Sequence, residues 1–190
     1  MARLPYVEMN DAPPEVREIY ETALRGKPGS VQKLLAHRPE VLRTFLAFYG
    51  TVGRTLDRRT YEMVYIRVSV MNGCHYCLQH HLASSKRVGL TSADWEALKA
   101  GEYSSFSCRE QAALKFAEKL TRDSANINDA DVEALKPHFP AEQIVDLDML
   151  VGLANLTNRL TDPLGADLEF PAEKILAGPS AWDKFPSARE

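Results

Sequence analysis

Three side chains with thiol and acid-base chemistry fall within eight residues of this chain. Cys74 and Cys77 form a C-x-x-C pair, and His81 follows four residues after the second cysteine. Asn72-Gly73, immediately before the pair, reads as the end of one helix and a turn, so the next helix starts at the cysteines. Unpaired N–H groups and the positive end of the dipole at such a start favour thiolate over thiol, which suits a redox-active pair. Spacings of three and four residues place Cys74, Cys77 and His81 along one stripe of that helix, with the imidazole one turn below the second sulfur and within its reach.

The element that must face this stripe is the segment before it. Asp57 is the expected N-cap of a helix ending at Asn72, with Met63, Ile66 and Val70 as its apolar stripe, and it forms the antiparallel partner of the cysteine helix. Glu62 lies roughly 15 Å before that helix ends, while His81 lies about 10 to 12 Å into the returning one. The two come out level in a tight hairpin. A carboxylate there can orient the imidazole, raise its basicity and exchange a proton with it.

Glu62, eleven residues, Cys74-x-x-Cys77, three residues and His81 make an E-x11-C-x-x-C-x3-H pattern. It resembles the active-site motif of the alkylhydroperoxidase D-like (AhpD-like) branch of the carboxymuconolactone decarboxylase superfamily. The runs HRPEVLRTFLAFYG (37–50) and NRLTDPLGADLEFP (158–171) also look like that family. The resemblance implies an all-α, AhpD-like helical bundle with the C-x-x-C at the N-terminus of a central helix. It implies peroxidase activity with Cys77 peroxidatic, Cys74 resolving, and Glu62 and His81 in proton transfer. Some members carry a histidine just before the second cysteine as part of a proton relay; this chain has Tyr76 there, and His75 one residue earlier.

The residues themselves support the same chemistry. Cys77, one turn above His81, is the better attacking thiolate, since His81 can take its proton directly or through water. Attack on a peroxide O–O bond leaves a sulfenic acid, with which Cys74 condenses to a disulfide. The pair is then reset by a thiol or dithiol reductant, a protein or a small molecule, and no metal, haem or flavin is required. Other readings compete. Cys74, Cys77 and His81 with Glu62 or Cys108 could form a zinc site, although structural sites usually bring a second ligand pair from elsewhere. A c-type haem site is excluded because Leu78 follows the second cysteine. The superfamily name points to a lactone decarboxylase, which has no need of paired cysteines. A redox-sensing oligomer would oxidise once and not cycle. His37, His80 and His138 are expected at the solvent, Tyr76 in packing, and Cys108 as an incidental thiol. Asn155 and Asn158 are expected to satisfy backbone near a helix end.

The chain has 190 residues and a formal net charge of -3, with its cations scattered, so no nucleic-acid partner is indicated. No apolar run reaches the length of a membrane span, and MARLPYVEMN is not a secretory leader, which places the expected location in the cytoplasm. The expected organisation is one domain over 1–190 with an extended C-terminal tail from about residue 161. Helices are expected with Pro13-Pro14 in the first turn and running to about Leu24, from Val31 to Ala36, Pro39 to about Thr55 (its aromatics walling the site), Asp57 to Asn72, and from the cysteines to Val88. Capping boxes at Thr91/Asp94 and Ser107/Glu110 and a cap at Asn128 start three more, with GEYSSF as a surface loop between the first two. From Pro140 to about Leu160 the chain is apolar on nearly every side, as in a helix central to the core or buried between subunits. With the family resemblance, this indicates a homo-oligomer, as a dimer, trimer or hexamer. In the tail, a helix around Ala172 to Leu176 and docking of Trp182 and Phe185 on the body or on a neighbouring subunit are expected.

Overall fold

Capping chemistry sets the helix boundaries. The computed structural model describes residues 1–171, which contain nine α-helices and no strand. Helix α1 (Pro14–Leu24) opens on proline and closes through Arg25 in the left-handed region. It is followed by α2 (Ser30–Leu35), α3 (Pro39–Val52) and α4 (Arg58–Asn72). Asp57 caps α4, accepting from the Thr60 amide at 2.9 Å. Gly73, at φ 72°, turns the chain into α5 (His75–Ser85). The chain continues through the 3-10 turn Lys86–Val88 to α6 (Ser92–Ala100), α7 (Cys108–Asp123), α8 (Asp129–Glu133) and α9 (Ala141–Leu164). The capping boxes expected at Thr91 and Ser107 are present, and Asn128 forms a third with Asp131.

Helix α4 is the axis of the bundle. Every residue from Thr60 to Val70 is buried, so the stripe expected from Met63, Ile66 and Val70 is one of several buried faces. Tyr61, Val64, Tyr65 and Val68 pack with Phe116 and Ala117 of α7 and Leu147, Leu150 and Val151 of α9. Met63, Ile66 and Val70 pack with Leu78 and Leu82 of α5, Trp95 and Leu98 of α6 and Leu114 of α7. Glu62 and Ser69, seven residues apart, share a third, polar stripe. A smaller cluster of Val16, Ile19, Tyr20 and Leu42 joins α1 to α3.

Three expectations are corrected here. The loop 101–106 is not a surface loop, because Tyr103 and Phe106 are buried against α4, α6 and α7. Helix α9 is not central to the core on every side: Leu147, Leu150, Val151 and Ala154 face the core, while Val145, Met149 and Leu156 are exposed on the other side of the single chain. It also runs to Leu164 rather than ending near residue 160, carrying Pro163 in its last turn. So near the end the missing N–H costs one bond, and the terminal Leu164 carbonyl accepts from the Arg3 amide at 2.9 Å. The extended segment therefore starts at Gly165. It is pinned at Asp167, whose carboxylate accepts from the Ala2 amide and the Tyr6 hydroxyl, both at 3.0 Å. The expected helix at Ala172–Leu176 and the docking of Trp182 and Phe185 lie outside the described residues.

Candidate active site

The turn at Gly73 delivers the two cysteines to the start of α5. Cys74 is the N-cap: its Sγ accepts the Cys77 amide at 3.2 Å, so a backbone donor is spent on the first sulfur. The pair is joined as a disulfide, with Cα atoms 5.5 Å apart. The two sulfurs are not equivalent. Cys74 is fully buried behind the site, whereas Cys77 forms part of the wall of a cavity of about 320 Å³. That cavity is walled by apolar and aromatic groups, among them Leu24, Val31, Phe45 and Tyr49, with Thr157, Thr161, His80, His81, Lys27 and Gln32 among its polar members. The aromatics of α3 wall the site as expected.

His81 lies on the same cavity wall as Cys77. Its Nδ1–H donates to Glu62 Oε2 at 2.7 Å, so the level pairing expected across the hairpin is formed. With Nδ1 so engaged, Nε2 keeps its lone pair and is the proton acceptor. Tyr65 stacks on the imidazole, centroids 3.7 Å apart and planes inclined by 15°, and Tyr61 packs on it at 5.8 Å. Burial pushes the His81 pKa below its ordinary 6.5, and the Glu62 hydrogen bond and charge only partly counter this. The imidazole is therefore neutral at pH 7 and ready to accept a proton.

Glu62 is fully buried, and Arg58 one turn earlier brings Nη2 to 2.6 Å from its other oxygen, Oε1. That contact is a charge pair without hydrogen-bond alignment. The Arg58 guanidinium also lies over the Tyr61 ring, 4.4 Å from its centroid. Sequence reasoning missed this pairing, although arginine four residues before glutamate on a helix is a readable signal. It also missed Tyr65, whose hydroxyl is 2.5 Å from Thr157 Oγ1, and Thr161, whose Oγ1 is 3.0 Å from Cys74 Sγ and 3.2 Å from Cys77 Sγ. These are buried residues of unremarkable type, and those on α9 lie eighty or more residues from the cysteines.

Two expectations about neighbouring residues change. His80 does face solvent in part, its side chain 36% exposed, but it is also committed: it lines the cavity mouth, and its Nε2 is 2.9 Å from Glu169 Oε2. Tyr76 donates its hydroxyl to the same carboxylate at 2.9 Å, and Phe170 sits edge-on to His80 at 4.8 Å. Glu169 also accepts from the Ser30 amide. Partial burial alone would raise its pKa, but hydrogen bonds from His80, Ser30 and Tyr76 outweigh that and hold it at about 2. Asn155 and Asn158 do more than satisfy their own helix: Asn72 Nδ2 donates to Asn155 Oδ1 at 3.0 Å and to Asn158 Oδ1 at 2.9 Å, and Asn158 Nδ2 donates to Ser69 Oγ at 3.2 Å. Cys108 is an exposed free thiol away from the pair. Among the described residues no three His, Cys, Asp or Glu side chains converge as a metal site, and no helix is long and apolar enough to cross a membrane.

Residues 39–119, which span α3 to α7, match the model of the carboxymuconolactone decarboxylase family. YdfG of Bacillus subtilis, an uncharacterized protein, is 33% identical over 113 residues, covering 58% of this chain and 77% of that protein. The alkylhydroperoxidase AhpD core of a peroxidase-related protein from Ralstonia eutropha JMP134 superposes with a TM-score of 0.77 at 28% identity, covering 88% of this chain and 92% of that one. The fold also recurs in the debrominase Bmp8, with a TM-score of 0.71 at 16% identity over 89% of this chain and 94% of that one. From the family model, the YdfG match and the motif set on this bundle, the chain belongs to the AhpD-like branch of the carboxymuconolactone decarboxylase family.

Proposed function

We propose that the protein is a thiol-dependent peroxidase that reduces hydrogen peroxide or small organic hydroperoxides through a Cys74/Cys77 dithiol-disulfide cycle. The observation that carries the reading is the division of labour in the pair. Cys77 opens onto the cavity beside a neutral His81 anchored by buried Glu62, while Cys74 waits behind it, bonded to the first turn of α5. The peroxidase-related Ralstonia neighbour supports it.

In the oxidative half, His81 Nε2 accepts the Cys77 thiol proton. The thiolate attacks the terminal oxygen of R–O–OH: an S–O bond forms, the O–O bond breaks, and the departing alkoxide takes the proton held by His81. Cys77 is oxidised by two electrons to a sulfenic acid. Cys74 then attacks that sulfur, forming the disulfide and releasing water. In the reductive half, a thiolate of a dithiol attacks Cys77 Sγ and Cys74 leaves as thiolate. The second thiol of the reductant then releases Cys77 and returns the pair to the dithiol. The sum is one peroxide and one dithiol converted to an alcohol, water and a disulfide. Apolar cavity walls suit the carbon part of an organic hydroperoxide. The exposed apolar row Val145, Met149 and Leu156 along α9 favours a homo-oligomer, which sedimentation equilibrium would test.

Peroxide consumption with excess dithiol tests the proposal. Wild type turns over many times, Cys77→Ser is inactive, and Cys74→Ser is slowed, because its sulfenic acid must be resolved by the dithiol itself. Undiminished turnover by Cys77→Ser would overturn it, and one equivalent consumed by wild type would identify a sensor.

A further inference from the structure

Thr161 has its hydroxyl in contact with both sulfurs. It is 2% exposed, on the last turn of α9, a helix that contributes nothing to the E-x11-C-x-x-C-x3-H pattern. Its Oγ1 lies 3.0 Å from Cys74 Sγ, 3.2 Å from Cys77 Sγ and 3.3 Å from the carbonyl oxygen of Asn158 in its own helix. Buried threonines commonly return their proton to a carbonyl three or four residues back. Here that contact is the longest of the three, even though sulfur is the larger atom.

The position is fixed from outside α9. Asn158, one turn before Thr161, is tied to Asn72 and Ser69 at the end of α4, the same helix end that launches the cysteines. Helix α9 and the C-x-x-C turn are thus registered to one another, and Thr161 is held against the sulfurs. A hydroxyl has a single proton to give. Against the closed disulfide neither sulfur is a strong acceptor, and the Asn158 carbonyl can hold that proton. When the disulfide opens, one sulfur carries a full negative charge, and rotation about Cβ–Oγ alone turns the O–H onto it. Charge-assisted hydrogen bonds are about twice as strong as neutral ones. Cys74 has a second donor in the Cys77 amide, so Cys77 depends more on the hydroxyl.

We infer that Thr161 is a further catalytic residue, whose hydroxyl donates to whichever sulfur bears the negative charge: Cys77 before it attacks, Cys74 as it leaves. It moves no proton. When a dithiol reductant attacks, the new S–S bond forms at Cys77, the Cys74–Cys77 bond breaks, and the electron pair arrives on Cys74 within reach of Thr161 Oγ1 and the Cys77 amide. The inference rests on the peroxidase reading for its place in the cycle, but it can be tested without any peroxide.

The test uses the full chain with Cys74→Ser and Cys108→Ser, leaving Cys77 as its single thiol, and follows iodoacetamide alkylation against pH. Thr161→Val removes the hydroxyl at nearly constant volume, and Thr161→Ala removes it with a different volume. Thr161→Ser keeps it. Both hydroxyl-free variants are expected to shift the alkylation profile about one pH unit upward, a tenfold loss of thiolate below the midpoint, while Thr161→Ser stays within a factor of two or so of the parent. In the chain with both cysteines, Thr161→Val is also expected to slow disulfide opening by dithiothreitol about tenfold. Unmoved alkylation profiles in Thr161→Val and Thr161→Ala would overturn the inference, as would an equal shift in Thr161→Ser. A shift without peroxide turnover in wild type would sink the peroxidase reading alone; normal turnover with unmoved profiles would sink this one alone.

Discussion

His80 and His81 are adjacent on α5, and each is paired with a glutamate, yet the two pairs lie in opposite surroundings. A rotation of about 100° per residue separates them. His81 turns inward, its side chain 8% exposed, to a Glu62 fully buried on the central helix. His80 turns to the cavity mouth, 36% exposed, and meets Glu169 on the segment that follows α9. Both pairs are a carboxylate and an imidazole at hydrogen-bond distance. Burial and the element that carries the glutamate decide what each can do. The inner pair, under stacked tyrosines, holds a neutral base beside a reactive sulfur. The outer pair ties the C-terminal segment to α5 and, through Ser30, to α2, and acts as a latch.

If that division is right, removing the two histidines should have very unequal effects. His81→Ala is expected to lower peroxide turnover by about 10²- to 10⁴-fold, the usual range for loss of a positioned acid-base group. His80→Ala should stay within a few-fold of wild type in the same assay. Equal losses would erase the distinction and make the mouth pair part of the chemistry.

The glutamates sharpen the comparison in stability. Glu62→Ala leaves the N–H of a buried, neutral imidazole without its acceptor, and leaving a buried donor unsatisfied costs about 1 to 3 kcal/mol. Glu169→Ala removes a partly solvated carboxylate from a peripheral segment, so the loss in urea unfolding at pH 7 should be clearly smaller. A larger loss at Glu169 would show that the latch, and not the inner pair, holds the bundle.

Acid separates the pairs next. His81 sits below its ordinary 6.5 because burial disfavours the imidazolium, so the unfolded chain binds that proton first. Its contribution to stability is complete above 6.5 and drains away as pH falls from there through the lower folded value. Glu169, held at about 2 against an ordinary 4.5, contributes fully above 4.5 and loses that contribution as pH falls toward about 2. Urea midpoints measured from pH 7.5 to 3 should therefore fall in two windows. Glu169→Gln should flatten the lower one only, and a change in the upper window would contradict the assignment. The acid limb of peroxide turnover should likewise lie below 6.5.

How much of this was legible in the sequence follows from how local each signal is. Glu62, Cys74, Cys77 and His81 sit on one hairpin whose turn, caps and periodicity are all written within twenty-five residues, so their meeting could be worked out from helical rise alone. The capping boxes at Thr91 and Ser107 are local in the same sense. What escaped depends on contacts between distant segments of the chain. Thr161 reaches the sulfurs only because α9 continues to Leu164, past the end expected near residue 160. Glu169 lies in an extended segment with no periodicity to read. Tyr103 and Phe106 sit in a loop of turn-forming residues, and their burial is decided by α4, α6 and α7 packing over them. The exposed side of α9 escaped for a different reason: Val145, Met149 and Leu156 are as apolar as its core residues, and composition cannot tell which face meets the bundle.

The smallest expected effect concerns Tyr76, which occupies the place where some family members carry a relay histidine. Its hydroxyl is committed to Glu169, on the mouth side of the comparison, and partial burial beside that carboxylate raises its pKa well above the ordinary tyrosine value. A phenol so held is a poor proton carrier at neutral pH. Tyr76→Phe keeps the ring against His80, where the centroids are 4.4 Å apart, and removes one of the three donors to Glu169. Stability should fall by about 1 kcal/mol, and peroxide turnover should change by less than about threefold, because in the proposed cycle proton transfer at Cys77 runs through His81 and Glu62. A loss of a hundredfold would place the tyrosine hydroxyl in the relay after all, and would make the outer pair a second participant in proton transfer.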